Sequence, residues 1–330
     1  MVSLAVGLLL LAAFISVLQQ CRQQFAIDES LASLQDSARQ AWSILVPDLE
    51  LAGFYGFAGA GEPRFERGGV VLAHGAELAQ PDSHNSVPPI PGVPAGSHDC
   101  GTNFAVDLGL PVQGSNNTYA AGVAAQDCAP TAVANGARAG SDTLTLRHAS
   151  AALTHPLAGR LQLYSQRLRA HAALELFADG HAPGVTDADA EIRNLEVRSY
   201  YVANDSVDRK GWPALRAKAL TEARGAAQFR DEELLPGVED LQVEFGSVDP
   251  HAPGTAPVFA PPRGDAQRDR RIVAVRLWLR IRADRTERGY FDARPLKYSD
   301  VEFVPNEAEA RQRRMLVERT VALRNVHERP

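Results

Sequence analysis

The residues best equipped for covalent chemistry are His98, Asp99 and Cys100, which set an imidazole and a carboxylate beside a thiol. A working nucleophile–base pair needs its groups brought together in space, which sequence neighbours rarely achieve, and a bridged Cys100 would be no nucleophile. Gly56, Gly59 and Gly61 loosely match a dinucleotide-binding turn, but no strand pattern precedes them and no helix pattern clearly follows. Asp187, Asp189 and Glu191 alternate as the opening of a calcium loop does. Such a loop needs Gly at its sixth position and Glu at its twelfth; Ile192 and Arg198 stand there, so a solvated turn is the expected reading. The nine His residues show no HExxH-type spacing. No residue is assigned a catalytic, cofactor or metal role, and an enzyme is not expected.

Charge is unevenly placed. Residues 1–262 carry 17 basic and 29 acidic side chains, whereas residues 263–330 carry 17 and 11. The basic excess falls partly on the polar side of a strand pattern and partly in Arg311–Arg314, interleaved with Glu307, Glu309 and Glu318. That interleaving suits a solvated face or an acidic partner; no nucleic acid is expected.

The elements that would carry these residues follow from composition and periodicity. Hydrophobic content of 45% and charged content of 22% are globular values and exclude wholesale disorder. Twenty-one Pro and 26 Gly argue against an all-helical bundle. Only one apolar run is long enough to raise the question of a membrane, which excludes a polytopic membrane protein. That run, Leu4 to Leu18, has no charge and would make a helix of about 22 Å, short of the roughly 30 Å hydrocarbon core. A cleaved signal peptide normally follows a basic segment, and Met1, Val2 and Ser3 supply none. The run continues as an amphipathic pattern instead: Phe25, Leu31, Leu34, Ala38, Ala41 with Trp42, Leu45, Leu49 and Ala52 recur mostly at steps of three and four. One helix of about 50 residues is expected, kinked by Pro47 and stopped at Gly53 or Gly56. Gly7, Ala12, Ala13 and Ser16 would allow close helix approach.

The run from Val2 to Gly56, ending in DLELAGFYG, resembles the N-terminal helix of PilW-family minor pilins. Further matching pieces lie along the chain in order: PVQG (Pro111–Gly114) between Cys100 and Cys128, GSDTLTLRHA (Gly140–Ala149), SYYVAND (Ser199–Asp205), ELLPGVEDLQVEFG (Glu233–Gly246), VAVRLWLRIRA (Val273–Ala283) and VALRN (Val321–Asn325). Family members begin with a short basic leader, a Gly at the cleavage point, a Phe and then a Glu. This sequence starts inside the hydrophobic helix, as an internal start or a fragment would, and about seven further apolar residues would bring the span to a bilayer-crossing length.

The resemblance implies an α+β, pilin-like fold: a long N-terminal helix packed on an antiparallel β-sheet head with long loops. Residues 1–24 would be the membrane or pilus-core half of the helix, 25–56 its amphipathic half, and 57–330 a periplasmic head. It implies a structural role in assembling or priming a type IV pilus, at the pilus tip. Partners would be other minor pilins and the major pilin, with a tip adhesin as a further candidate. Before assembly the chain would cross the inner membrane once. Gly7, Leu8, Leu11, Ala12, Phe14, Ile15 and Leu18 would pack against lipid or partner helices. A pseudopilin of a type II secretion system is the near alternative; a signal-anchored periplasmic enzyme or binding protein is the distant one.

Beyond the helix the pattern reads as strands. Ile272–Arg282 is the clearest, with Val273, Val275, Leu277, Leu279 and Ile281 on one side and Ala274, Arg276, Trp278, Arg280 and Arg282 on the other. Leu195–Val202, Leu241–Phe245, Thr143–Arg147, Leu161–Ser165, Leu174–Phe177 and Gly69–Ala73 are further strands. Pro81–Pro94 and Pro250–Pro262 read as loops, and residues 207–236 as loop with one short helix.

In an exported head, Cys100 and Cys128 are expected to pair, closing a loop of about 28 residues worth roughly 3–4 kcal/mol in the chain-entropy model; Cys21 is left over. Peptide mapping of non-reduced protein should recover the linked pair, and two free thiols after export would exclude the bridge.

Overall fold

The computed structural model describes residues 2–57, 64–67, 70–74, 104–106, 108–121, 128–167, 173–184, 188–249, 254–263 and 271–325. His98, Asp99, Cys100, Gly59, Gly61, Asp187 and the Pro81–Pro94 loop lie outside them.

Helix α1, Val2–Leu51, is a single run of 50 residues, close to the expected length, with Pro47 inside its last turns. It ends where Gly53 takes φ +80°, a conformation that costs an L side chain but not glycine. Its second half packs as the periodicity requires. Leu34, Ala38, Ala41, Leu45, Leu49 and Ala52, at steps of three and four, are all buried. Phe25, expected on that stripe, is instead 75% exposed: it stands about two and a half turns before Leu34 and so points to the opposite side of the helix. The first half projects free: Gly7 has no heavy atom near where a side chain would start, and Leu10, Leu11, Phe14, Ile15, Val17 and Leu18 are exposed. Among the described residues no helix is long and apolar enough to cross a membrane.

The head is built on two main sheets. In the nine-stranded sheet, β1 (Arg64–Arg67), β2 (Val70–His74), β3 (Val112–Ser115), β4 (Thr143–Ala149), β5 (Ala158–Gln166), β6 (Ala173–Asp179) and β7 (Ala190–Ala203) run in the order β2-β1-β6-β5-β7-β4-β3. The β1–β6 pair is parallel and the other pairs are antiparallel. The 14-residue β7 is its spine, pairing through residues 190–194 with β5, 195–200 with β4, and 198–203 with β8 (Ala214–Ala223). β8 pairs in turn with β9 (Ala226–Pro236). The second sheet has four antiparallel strands in the order β11-β10-β12-β15: β10 (Val238–Val248), β11 (Val258–Ala260), β12 (Arg271–Arg282) and β15 (Arg314–Ala322). A small hairpin, β13 (Leu296–Tyr298) and β14 (Val301–Phe303), completes the fold. The plan is α+β, with the helix packed on largely antiparallel sheets.

Three expectations are corrected. Residues 207–236 hold no helix among the described residues; they form the β8–β9 hairpin, closed by Arg224 and Gly225, both at positive φ as a two-residue turn of this hand needs. Helix-prone Ala, Lys and Glu hide β8; Leu215 and Ala217 face the core, while the alternating Arg216 and Lys218 are buried opposite Glu233 and Asp231 of β9. The Pro250–Pro262 stretch contains the short strand β11, admissible because it lies at a sheet edge. In β12, Gly246 pairs with Ala274 but Ser247 with Ile272. Val273 is therefore an extra residue in a bulge, and Ile272 takes the core position that simple alternation gives to Val273.

One core joins the α1 stripe to both sheets, drawing Leu144, Leu146, Tyr200, Val202 and Leu215 from the first and Leu241, Val243, Val275, Leu277, Leu279 and Ile281 from the second. The far side of the nine-stranded sheet carries a second core around Leu161, Leu163, Leu195, Val197, Leu220 and Phe229, covered by Phe104, Val106 and Leu108.

Leu45→Ala should cost about 2–5 kcal/mol in thermal or denaturant unfolding, since it empties a fully buried site. Leu10→Ala, on the bare half of the same helix, should leave the unfolding midpoint unchanged within about 0.5 kcal/mol.

Candidate functional site

The surface that asks for a function is the bare half of α1, and the question it raises is how the helix is fixed so firmly at its other end. The apolar stripe is interrupted at Asp48, which occupies the i+3 position after Leu45 and points into the head. Arg198 of β7 donates from Nη1 to both Asp48 carboxylate oxygens at 2.9 Å. Tyr200 of the same strand donates its hydroxyl at 2.5 Å, and His148 Nε2 of β4 lies 3.6 Å away. Alternation places these groups: Arg198 and Tyr200 share the helix-facing side of β7 with Val202, and His148 follows Leu144 and Leu146 on β4. Burial works to raise the Asp48 pKa, but the His148 hydrogen bond, the Arg198 charge and the Tyr200 hydroxyl outweigh it, so the carboxylate titrates below its ordinary value. Burial and the same carboxylate push the Tyr200 hydroxyl well up, keeping it a donor.

The helix exit is clipped at several further points. The Gly53 amide donates to Arg147 O at 3.0 Å, and the Ala149 amide to Phe54 O at 2.6 Å. Arg147 itself is fully buried, its guanidinium donating to Phe104 O, Leu110 O and Gln113 Oε1. Glu191, weighed above as part of a calcium loop, is buried with its Oε1 accepting from the Phe57 amide at 2.5 Å and its Oε2 gripped by Arg193 at 2.8 and 3.0 Å. A side chain on Gly56 would collide with that carboxylate, so Gly56 serves this junction. From the other end of the chain, Asn325 Nδ2 donates to Glu50 O at 2.9 Å, and Arg324 lies 3.4 Å from the Glu50 carboxylate.

The basic C-terminal excess, expected at a solvated face or an acidic partner, is largely used inside the chain. Glu239, buried at the start of β10, receives Arg314 at 2.6 and 3.0 Å, Arg280 at 3.2 Å and Arg282 at 3.7 Å. Burial works to raise the Glu239 pKa, but Arg314, Arg280 and Arg282 together bring it below the ordinary value. Arg313 pairs with Glu287 at 2.6 Å and Arg311 with Glu307 at 3.0 Å. Among the described residues no group of three or more His, Cys, Asp or Glu is arranged to hold a metal. Cys21 is exposed and free, Cys128 is buried, and Cys100 lies outside the described residues, so the bridge remains an expectation.

Sequence reasoning missed Asp48, Arg198 and Arg147. The available signal was Asp48 itself, an acid on an apolar stripe; its partners, 100 and 150 residues away, left no local trace.

Asp48→Asn should destabilise the head by about 2–3 kcal/mol, less than a wholly buried pair because Arg198 keeps a third of its side chain in water. Because the folded-state pKa lies below 3.8, the contribution is present above that pH and lost as pH falls through the folded value. The wild-type advantage should therefore be full near neutrality and shrink below about pH 4 in paired denaturant titrations.

No curated protein sequence matches the chain. Among solved structures, a type IV-like pilin from Thermus thermophilus is similar at 15% identity, covering 56% of this chain and 80% of that one. Its TM-score is 0.26, too loose a superposition to argue from. Residues 199–325, which run from the second half of β7 through β15, match the family model of type IV pilus-assembly protein W.

Proposed function

We propose that this protein is a minor pilin with a structural role in building a type IV pilus, its head clamped on a helix that other pilin helices hold. The observation that carries the proposal is one uninterrupted helix with two environments: residues 34–52 seal the head core, while Leu10, Leu11, Phe14, Ile15 and Leu18 are left apolar and uncovered. An exposed apolar patch of this kind marks a surface meant for lipid or protein. The PilW-family match over residues 199–325 supports the same reading. On this proposal Gly7, Leu8, Leu11, Ala12, Phe14, Ile15 and Leu18 meet the inner membrane before assembly and the helices of other minor and major pilins afterwards. Placement at the pilus tip, beside an adhesin, belongs to the same proposal, as does a Cys100–Cys128 bridge bracing a periplasmic head.

The test separates the two halves of the helix. Gly7→Arg should abolish surface piliation, since an Arg near a membrane midplane costs about 2.5–3.5 kcal/mol. It should leave the melting temperature of the detergent-solubilised chain unchanged. Leu45→Asp should unfold the head by burying an unpaired carboxylate. Normal piliation by Gly7→Arg together with a wild-type melt for Leu45→Asp would sink the proposed division of labour.

A further inference from the structure

β15 is an open edge of the four-stranded sheet. It pairs with β12 alone, over 9 residues and without a register shift. The Ala283 amide donates to Arg313 O and the Leu323 amide to Val273 O, both at 2.9 Å, which fixes the phase of the ladder. The odd-numbered residues of β15 therefore bond β12, and the N–H and C=O groups of Leu316, Glu318, Thr320 and Ala322 point outward. No hydrogen bond engages those outward groups among the described residues. On β10, by contrast, the Leu241 and Val243 amides are capped by Ser141 Oγ and an Asp142 oxygen. β15 also lacks a proline or a bulge, two common ways of blunting an edge.

The side chains of β15 indicate what would cover it. Met315, Val317, Arg319 and Val321 alternate onto the core-facing side, where Arg319 pairs with the buried Leu277. Val321 is buried, whereas Met315 and Val317 are only partly covered. Arg319 is exposed and makes no hydrogen bond or ion pair among the described residues. A charge on the inward side of an edge strand rejects indiscriminate apolar pairing, and here it selects by sign. We propose that β15 accepts an added antiparallel strand from another polypeptide, an extended segment with an acidic residue flanked by apolar ones on its core-facing side. Such a strand satisfies the outward backbone groups, completes the cover over Met315 and Val317, and sets a carboxylate against Arg319. Toward the added strand Arg319 is a non-hydrogen-bonded position, where facing side chains come closest. A second copy of this chain does not meet the requirement. Its β15, continuing the same sheet, would present Met315, Val317, Arg319 and Val321 on that side, none of them acidic. The edge belongs to the head, so the proposal does not rest on the pilin reading.

Amide hydrogen exchange at single-residue resolution would be measured on the full chain in non-ionic detergent, alone and with an end-blocked Thr-Val-Thr-Glu-Thr-Val-Thr peptide at millimolar concentrations. Alone, the outward amides of Leu316, Glu318, Thr320 and Ala322 should exchange faster than the inward amides of Val317 and Arg319. The glutamate peptide should slow the outward set about tenfold, saturably, and the same peptide with lysine at its centre should not. Arg319→Glu should reverse that preference. Thr320→Pro removes one outward donor and leaves the β12 ladder intact, so it should abolish protection by the glutamate peptide at an unchanged melting temperature. Arg319→Glu, a change at an exposed side chain, decides alone if Thr320→Pro alters the fold. Slow exchange of the outward amides in the free chain, whether from its own residues or from a dimer seen in sedimentation, would overturn the proposal. So would the absence of saturable protection by the glutamate peptide, or equal protection by both peptides.

Discussion

The structure depends on burying one stripe of α1 in a core shared by both sheets. Leu34, Leu45 and Leu49 are essentially inaccessible, and burying three such side chains is worth roughly 5–9 kcal/mol. That is the size of a whole domain's net stability, about 5–15 kcal/mol. The nine-stranded sheet meets the stripe through Leu144, Leu146 and Tyr200, and the four-stranded sheet through Val275, Leu277 and Leu279. Removing the helix would expose both faces at once. The head is therefore conditional on the helix, whereas the first half of the helix owes nothing to the head. A load carried by that first half would reach the head through Leu45, Asp48 and the Gly53–Phe57 clip.

Beside the shared apolar core, polar contacts also join the two sheets. The free edge of β10 is closed by side chains of the turn before β4: the Leu241 amide donates to Ser141 Oγ at 3.0 Å and the Val243 amide to an Asp142 oxygen at 2.8 Å. The other Asp142 oxygen accepts from the Asn117 amide at 2.7 Å. A carboxylate thus stands in for a neighbouring strand, which protects an edge that would otherwise pair with another chain. Burial raises the Asp142 pKa to about 7 against these two amide bonds, with Asp300 and Asp240 adding to the rise. Asp142 thereby ties the turns beside β3 and β4 in one sheet to β10 in the other.

What the sequence made legible were the elements whose apolar spacing is uninterrupted. The stripe from Leu34 to Ala52, the end of α1 near Gly53, and β12, β7, β10 and β4 all follow from period and punctuation. The rest was hidden by substitution of one physical device for another. β8 reads ALRAKALTEA: Leu215 and Ala217 face the core, while Arg216 and Lys218 on its other, equally buried side are neutralised across the hairpin by Asp231 and Glu233. The Val273 bulge leaves no trace in the alternation, because Ile272 and Val273 are equally apolar. Phe25 joins the apolar series by a step of six and stands about two and a half turns before Leu34, so it falls on the opposite side of the helix and is exposed. Arg147 and Arg198, both central to the helix junction, look in sequence like ordinary polar positions of strands.

The charge asymmetry of the chain illustrates the same limit. An acidic first part and a basic last part look like two surfaces with two kinds of partner. In the fold they are largely one interaction: Arg280 and Arg314 close on Glu239, Arg276 on Glu244, Arg285 on Glu29 and Arg324 on Glu50, each joining the basic segment to the acidic one. These long-range pairs place β12 and β15 against β10 and against α1, so the asymmetry records how the chain closes on itself. Exposed pairs such as Arg285–Glu29 contribute little energy, whereas the buried Glu239 cluster is costly to break. Arg282 joins the same cluster at 3.7 Å from Glu239, so Arg280, Arg282 and Arg314 all tie the basic segment to the start of β10.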